Sequence, residues 1–321
     1  MKRIGVLTSG GDAPGMNACV RAVVRTALSA GLEVYGIRRG YSGLIDGDME
    51  PLSARDVGGI IQRGGTFLQS ARSAEFMAVE GRRQAVRRLN DRRIDGLVII
   101  GGNGSLAGAY ELHKMGVPVV GVPGSIDNDV PFTDMSIGVD TALNTMVHII
   151  DMIKDTASSH QRCFLVQVMG RHHGYLALIG GIIAGAEVTV IPEKEIPLEE
   201  IASAVDDAYV RGKTHAIIVV AEGAQFGAQE IADYLCKVSP GFEVRVTVLG
   251  HVQRGGSPTA FDRLLATRMG MRAVQAILAG EFGVMTALRG NRIELVPLEQ
   301  VVQGTPSLDL SNYDIAQMLA R

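Results

Sequence analysis

Residues 123–131, PGSIDNDVP, set Asp127 and Asp129 two apart with Ser125 beside them, directly after an apolar run that reads as a strand. Two carboxylates and a hydroxyl at a strand's carboxyl end suit a catalytic base next to a metal-side carboxylate. The same spelling also makes an Asx-rich turn. GGNGS at 101–105 follows a second apolar run, at 97–100, and opens a segment of helical period. Backbone amides and the positive end of a helix would meet there, which suits phosphate. The side chain at that place is the neutral amide of Asn103. GGDAPG at 10–15 lacks the GK[ST] ending of a P-loop and the GxGxxG of a dinucleotide fingerprint, so alone it is either a tight strand-to-helix turn or a phosphate cradle. Two such loops in one sheet point to a polyphosphate lying across both, hence a nucleotide.

Basic residues form a second group. SSHQR (158–162), MGRHHG (169–174) and HVQRGGSP (251–258) put Arg162, Arg171, His251 and Arg254 in glycine loops or at strand edges. Arginine forks bind phosphate esters through bidentate charged donors. One such arginine is ordinarily a solvated charge; several on the same edge imply a second anionic ligand. His172 and His173 lack a third metal ligand and read as loop. Arg21 and Arg25 share a helix face, by themselves surface decoration, and Lys154, Arg211, Lys213 and His215 add cations whose convergence spacing does not show.

The elements that must position these residues are legible as alternation. Short apolar runs ending in glycine, at 4–9, 31–37, 97–100, 117–124, 163–170, 187–193, 215–223 and 244–251, alternate with segments of helical period such as 16–31. Continuous Val/Ile-rich runs are strands buried on both faces, so the expectation is parallel sheets covered by helices, an α/β fold with ligands at the strands' carboxyl ends. At 321 residues and 46% hydrophobic content, two lobes are expected, since single cores stop growing at ~250–300 residues. A net charge of −3 with 20% charged residues supplies no basic field for nucleic acid or anionic lipid. The three cysteines, Cys19, Cys163 and Cys236, make neither a CxxC pair nor an even disulfide framework, which fits a reducing cytoplasm. The start turns into a glycine loop too soon for a signal peptide, and the most apolar run, 176–186, is short and glycine-rich, so no membrane span is expected.

Taken in order, LTSGGDAPGMNA, RGGTFLQSAR, IGGNGS, PGSIDNDV, SSHQR, VMGRHHGYLA, AEG and TVLGHVQRGGSP make the chain resemble the bacterial ATP-dependent 6-phosphofructokinases along essentially its whole length. The resemblance implies two similar Rossmann-like lobes, expected at 1–138 with 252–305 (nucleotide) and at 139–251 with 306–321 (sugar phosphate). It also implies a homotetramer that transfers the γ-phosphoryl group of ATP, carried with Mg2+, to the 1-hydroxyl of fructose 6-phosphate. Asp127 would be the base, with Ser125 beside it where threonine is usual. Arg171 and the Gly11 amide would stabilise the transferring group. Tyr41, Arg72, Ser73, Gly102, Asn103, Gly104, Ser105 and Gly108 would line the nucleotide site with Gly11. Asp129, Met169, Gly170, Arg171, Glu222, His251 and Arg254 would hold the sugar phosphate, and Arg162 and Arg245 would reach in from a neighbouring subunit.

Gly104 and Gly124 stand where pyrophosphate-using relatives carry Asp and Lys, leaving room for ATP. An effector site for ADP or phosphoenolpyruvate is implied at Arg21, Arg25, Lys154, Gly185, Glu187, Arg211, Lys213 and His215. Lys154 replaces an arginine there, and Ala54 stands where an effector-binding arginine is frequent, so a blunted response is expected. The family's GGDGS has an aspartate on the magnesium side; Asn103 either weakens the metal grip or is balanced by Asp129. The alternatives are a kinase of a related sugar phosphate or donor, and a catalytically weakened regulatory paralogue, against which the retained Asp127, Arg171, Arg162 and Arg254 argue.

Overall fold

The computed structural model describes residues 1–239 and 241–320. The chain runs β1 (Arg3–Ser9), α1 (Met16–Ser29), β2 (Glu33–Ile37), α2 (Gly40–Asp46), β3 (Met49–Leu52), α3 (Ala74–Met77), α4 (Val79–Asp91), β4 (Gly96–Gly101), α5 (Asn103–Lys114) and β5 (Val119–Pro123). It continues through α6 (Val139–His160), β6 (Arg162–Val168), α7 (Tyr175–Ile183), β7 (Val188–Val190), α8 (Leu198–Val210), β8 (Ala216–Ala221), α9 (Ala228–Val238) and β9 (Glu243–Val248). It closes with α10 (Ala260–Ala279), β10 (Val284–Arg289), β11 (Arg292–Pro297), α11 (Leu298–Gln303) and α12 (Ser311–Leu319). Two compact units result: Met1–Thr141 with Arg254–Thr305, and Ala142–Gln253 with the C-terminal stretch from Pro306.

The first unit holds a seven-stranded sheet of order β11-β10-β5-β4-β1-β2-β3. Its central strands are parallel, and the two edge strands β3 and β11 pair antiparallel. Every residue of β4 and β5 is buried, as a strand covered on both faces requires. Leu97, Ile99 and Val119 pack on one face with Leu44, Leu89, Leu106 and Leu298. α1 and α10 approach closely elsewhere in the unit: a Cβ on Gly270 would come within 2.9 Å of the Cys19 carbonyl. The β10–β11 hairpin turns on Gly290 and Asn291.

The second unit is built on a four-stranded parallel sheet of order β7-β8-β6-β9. Along β6 the side chains alternate: Phe164, Val166 and Val168 join a core with α6, α7 and α12, while Cys163 and Leu165 join one with α8 and α9. One strand departs from the expectation. β9 is an edge strand whose residues are exposed or half-buried, so its valines are not doubly covered within this chain. Cys19 and Cys163 are buried free thiols and Cys236 is an exposed one. Among the described residues no helix is long and apolar enough to cross a membrane.

Candidate active site

Three neighbouring parallel strands of the first unit, β1, β4 and β5, end at the same height: Ser9 pairs with Gly101 and Gly101 with Pro123. The loops that follow them are GGDAPG, GGNGS and PGSIDNDVP. The first turns through positive φ at Gly10 (84°) and Gly15 (105°), a conformation that favours glycine. A Cβ on Gly11 would sit 2.5 Å from Nη1 of Arg254, whose guanidinium lies against this loop and donates to the Asp12 carbonyl at 3.0 Å. Gly101 is held against the Ser9 carbonyl and the Ser105 hydroxyl, each 2.5 Å from where its Cβ would stand, so the first two loops are in contact. α5 then starts at Asn103 with Gly102 as its cap.

The third loop closes on the second. Ser125 Oγ donates to Asp129 Oδ1 at 3.1 Å and accepts from the Asp127 amide at 3.3 Å. Asn103 Nδ2 donates to the other oxygen of the Asp129 carboxylate at 2.8 Å and to the Asp129 carbonyl at 3.0 Å. Asn128 takes φ of 49°, a left-handed value that asparagine tolerates, and its amide oxygen accepts from the Ser136 N–H. Asp127 is half-buried on this turn.

Around these loops, Gly104 is exposed with open space where a Cβ would be, whereas a Cβ on Gly124 would lie 2.9 Å from the Met16 methyl. Tyr41 is buried beneath the loop: its hydroxyl donates to the Ser105 carbonyl and its ring stacks on Phe76 at 3.9 Å. Burial raises its pKa well above the phenol range, so it stays protonated. A Cβ on Gly108 would meet the Tyr41 hydroxyl at 2.7 Å and its ring at 2.8 Å. Packing against Tyr41 is therefore what requires glycine at 108. Ser73 caps α3 by accepting from the Phe76 amide, and Arg72 before it is exposed.

In the second unit, the loop after β6 carries Met169, Gly170 and Arg171. The Val168 and Gly170 carbonyls accept from the Glu222 and Gly223 amides at 2.9 and 3.1 Å, and the Gly223 Cα packs on the Arg171 carbonyl. Arg171 Nε lies 3.8 Å from Glu222 Oε1; Arg171 is 70% exposed, so this pair contributes little by itself. Glu193, unread in the sequence, accepts from the Gly174 amide at 2.8 Å. His251 is exposed.

Within one chain Arg162 does not share an edge with Arg171. It was expected on the same edge as Arg171, but it opens β6 whereas Arg171 follows its carboxyl end. Seven strand residues at ~3.3 Å each put Arg162 about 23 Å from Met169. Arg162 lies instead with Arg245, since β6 and β9 run in parallel register with Arg162 opposite Glu243 and Phe164 opposite Arg245. Glu243 pairs with both arginines, at 2.7 Å to Arg162 Nε. A clamp between two strands far apart in sequence leaves no local signal.

The basic residues grouped in the second unit are tied to backbone or side-chain oxygens. Lys154 Nζ donates to the Ala184 carbonyl. Lys213 Nζ donates to Glu187 Oε1 at 3.0 Å and to the Ala320 carbonyl at 3.2 Å. Glu187 also accepts from the Ile217 amide. Arg211 Nε donates to the Asp207 carbonyl, and His215 Nδ1 meets Ser158 Oγ at 2.8 Å. Gly185 takes φ of 60° at the end of α7. Arg21 and Arg25 lie on α1 in the first unit, half-buried and exposed respectively.

Known proteins resemble this chain in sequence and fold. The chain is 54% identical over 321 residues, all of both proteins, to a protein of Thermotoga neapolitana named ATP-dependent 6-phosphofructokinase. Among solved structures, phosphofructokinase from Pichia pastoris in the T-state superposes with a TM-score of 0.89 at 39% identity, over 94% of this chain and 35% of that longer one. A pyrophosphate-dependent phosphofructokinase from Marinobacter aquaeolei superposes with a TM-score of 0.86 at 25% identity, over 100% of this chain and 92% of that one. The family model described as phosphofructokinase matches residues 3–277, and this match, together with glycine loops and acidic turn on three adjacent strands, establishes that the chain belongs to the phosphofructokinase family.

Proposed function

We propose that this chain transfers the γ-phosphoryl group of ATP to the 1-hydroxyl of fructose 6-phosphate, giving fructose 1,6-bisphosphate and ADP in glycolysis. The observation that carries the reading is the meeting of two glycine loops with the Ser125–Asp127–Asp129 turn at the carboxyl ends of β1, β4 and β5. Asp127 takes the proton of the attacking hydroxyl, and Ser125 fixes its backbone. The Gly11 amide and Arg171 neutralise charge on the transferring group, since positioning and electrostatics supply nearly all of such catalysis. The first unit holds the nucleotide on Gly11, Arg72, Ser73, Gly102, Gly104 and Ser105, with Tyr41 and Gly108 bracing the loop from below. Met169, Gly170, Arg171, Glu222, His251 and Arg254 hold the sugar phosphate, with Arg162 and Arg245 supplied by a neighbouring subunit of a homotetramer in the cytoplasm.

The residues where the second and third loops meet fit magnesium. Asp129 offers a carboxylate and Asn103 an amide oxygen, hard donors of the kind the ion prefers. Among the described residues no group of three or more His, Cys, Asp or Glu is gathered to hold a metal. When bound with ATP, magnesium would neutralise phosphate charge. Gly104 leaves space for the nucleotide's inner phosphates. ADP or phosphoenolpyruvate would act at Lys154, Gly185, Glu187, Arg211, Lys213 and His215 with Arg21 and Arg25, and must compete with Glu187 for Lys213.

A coupled assay tests the reading. The wild-type chain should turn over with ATP and fructose 6-phosphate and not with pyrophosphate. Asp127→Asn should lower kcat by ~10² to 10⁴ while fructose 6-phosphate still binds, because an amide can bond the hydroxyl but cannot take its proton. Near-normal kcat in Asp127→Asn would remove the base assignment, and a wild-type chain without turnover would favour the regulatory paralogue.

A further inference from the structure

Gln253 lies in the HVQRGGSP stretch between two residues assigned to the sugar phosphate, and is itself assigned nothing. It is 0% exposed. The β6–β9 ladder runs to Gln167 opposite Val248 and ends with the Leu249 amide donating to the Gln167 carbonyl. β9 then gives way to the 3₁₀ turn Gly250–Arg254, so Met169 loses its backbone partner on that flank. The Gln253 side chain takes the missing place: its Oε1 accepts from the Met169 amide at 2.8 Å. That orientation is fixed by the partner, since an amide N–H can only donate. On the other flank the Glu222 and Gly223 amides hold Val168 and Gly170, so the turn is pinned from both sides. Gly170 stands at φ of 135° within it.

The other end of Gln253 shows that the tie carries a cost. Its Nε2 is buried and has no hydrogen-bond partner among the described residues. A buried amide donor left unmet is unfavourable, and an apolar side chain of the same length would only shift that cost to the Met169 amide, so the site keeps the bond that fixes the turn. We propose that Gln253 is a positioning residue for fructose 6-phosphate: its side-chain carbonyl sets the height of the Met169–Gly170–Arg171 turn relative to His251. The inference rests on the sugar-phosphate reading of that turn and of His251.

Gln253→Met keeps length and removes the acceptor; His251→Ala serves as a control for the site itself. Gln253→Met is expected to raise KM for fructose 6-phosphate about tenfold, the scale of one hydrogen bond, and to leave KM for ATP unchanged. An unchanged KM in Gln253→Met with a raised one in His251→Ala would overturn the positioning role alone; no change in either variant would overturn the site reading and the role with it. A parallel rise in both KM values with a lower Tm would mean a merely structural peg and would also overturn it. If Gln253→Met does not fold, hydrogen exchange on the wild-type chain decides. The Met169 amide should exchange slowly and slow further with fructose 6-phosphate, and exchange as fast as an exposed loop would refute the tie.

Discussion

Asn103 carries the chemistry that the sequence left open between two accounts, and its hydrogen bonds favour one of them. The amide donates to both the carbonyl and the carboxylate of Asp129, while Ser125 donates to the remaining carboxylate oxygen. Asp129 is thus held by two neutral donors. An aspartate at 103 has no N–H to offer, and two carboxylates about 3 Å apart cannot both ionise without a metal between them. Asn103→Asp should therefore destabilise the metal-free protein by about 1–3 kcal/mol, the cost of replacing a charged hydrogen bond by repulsion. Saturating magnesium should restore most of that loss and stabilise the variant more than the wild type. Thermal unfolding in chelator and in magnesium checks this; equal Tm values for the two proteins in chelator would return the argument to a weakened grip with no compensation. The residue types at this turn were legible from spacing. Their partners were not, because Asn103 and Asp129 are brought together only by the register of β4 on β5.

At the scale of elements, the parallel strands were readable because β4, β5 and β8 are buried on both faces and so are spelled as unbroken apolar runs. The β10–β11 hairpin went unread although Gly290-Asn291 between two apolar runs is a recognised turn signal. The order of strands within each sheet, and with it the placement of Arg162 away from Arg171, follows from long-range pairing that no local pattern encodes. The start of α6 depends on a similarly distant residue. Asp262, on α10, accepts from the Gly138 and Thr141 amides at 2.9 and 2.8 Å and from the Thr141 hydroxyl at 2.6 Å, 121 residues away in the latter two. It caps the helix that leaves the first unit. Asp262→Ala should cost about 3 kcal/mol, read as a lower urea midpoint, since it strands buried donors. Burial raises the Asp262 pKa against the opposing pull of its bonds to Thr141 and Gly138. A raised folded value means this carboxyl stabilises most below the ordinary aspartate pKa and loses that contribution as pH rises through the folded value. The gap between wild type and Asp262→Ala should thus widen as pH falls from neutral toward the aspartate range; a gap that narrows would show an ionised cap to be the stabilising form.

At the scale of the whole molecule, the arginines of the sugar-phosphate set pose a problem of reach. Arg171 follows the carboxyl end of β6 and Arg162 opens its amino end, about 23 Å from Met169 at the usual strand rise. No side chain spans that distance. Arg162 and Arg245 instead form one cationic pair around Glu243, beside an edge strand whose residues are exposed or half-buried. If this pair serves a sugar phosphate in another copy of the chain, then in a closed symmetric oligomer each copy would give its pair and receive one. Mixing Asp127→Asn protein with Arg162→Ala protein separates the two arrangements. If every site used its own Arg162, each site in a hybrid would still lack either base or arginine, and activity would stay at zero. If the arginine comes from a neighbour, random exchange gives about a quarter of sites an intact Asp127 from one chain and an intact Arg162 from the other. Activity should then rise from the background of either parent toward about a quarter of the wild-type rate as exchange, followed by native mass spectrometry, goes to completion. Complete exchange with no gain in rate would confine Arg162 to a structural pairing with Glu243.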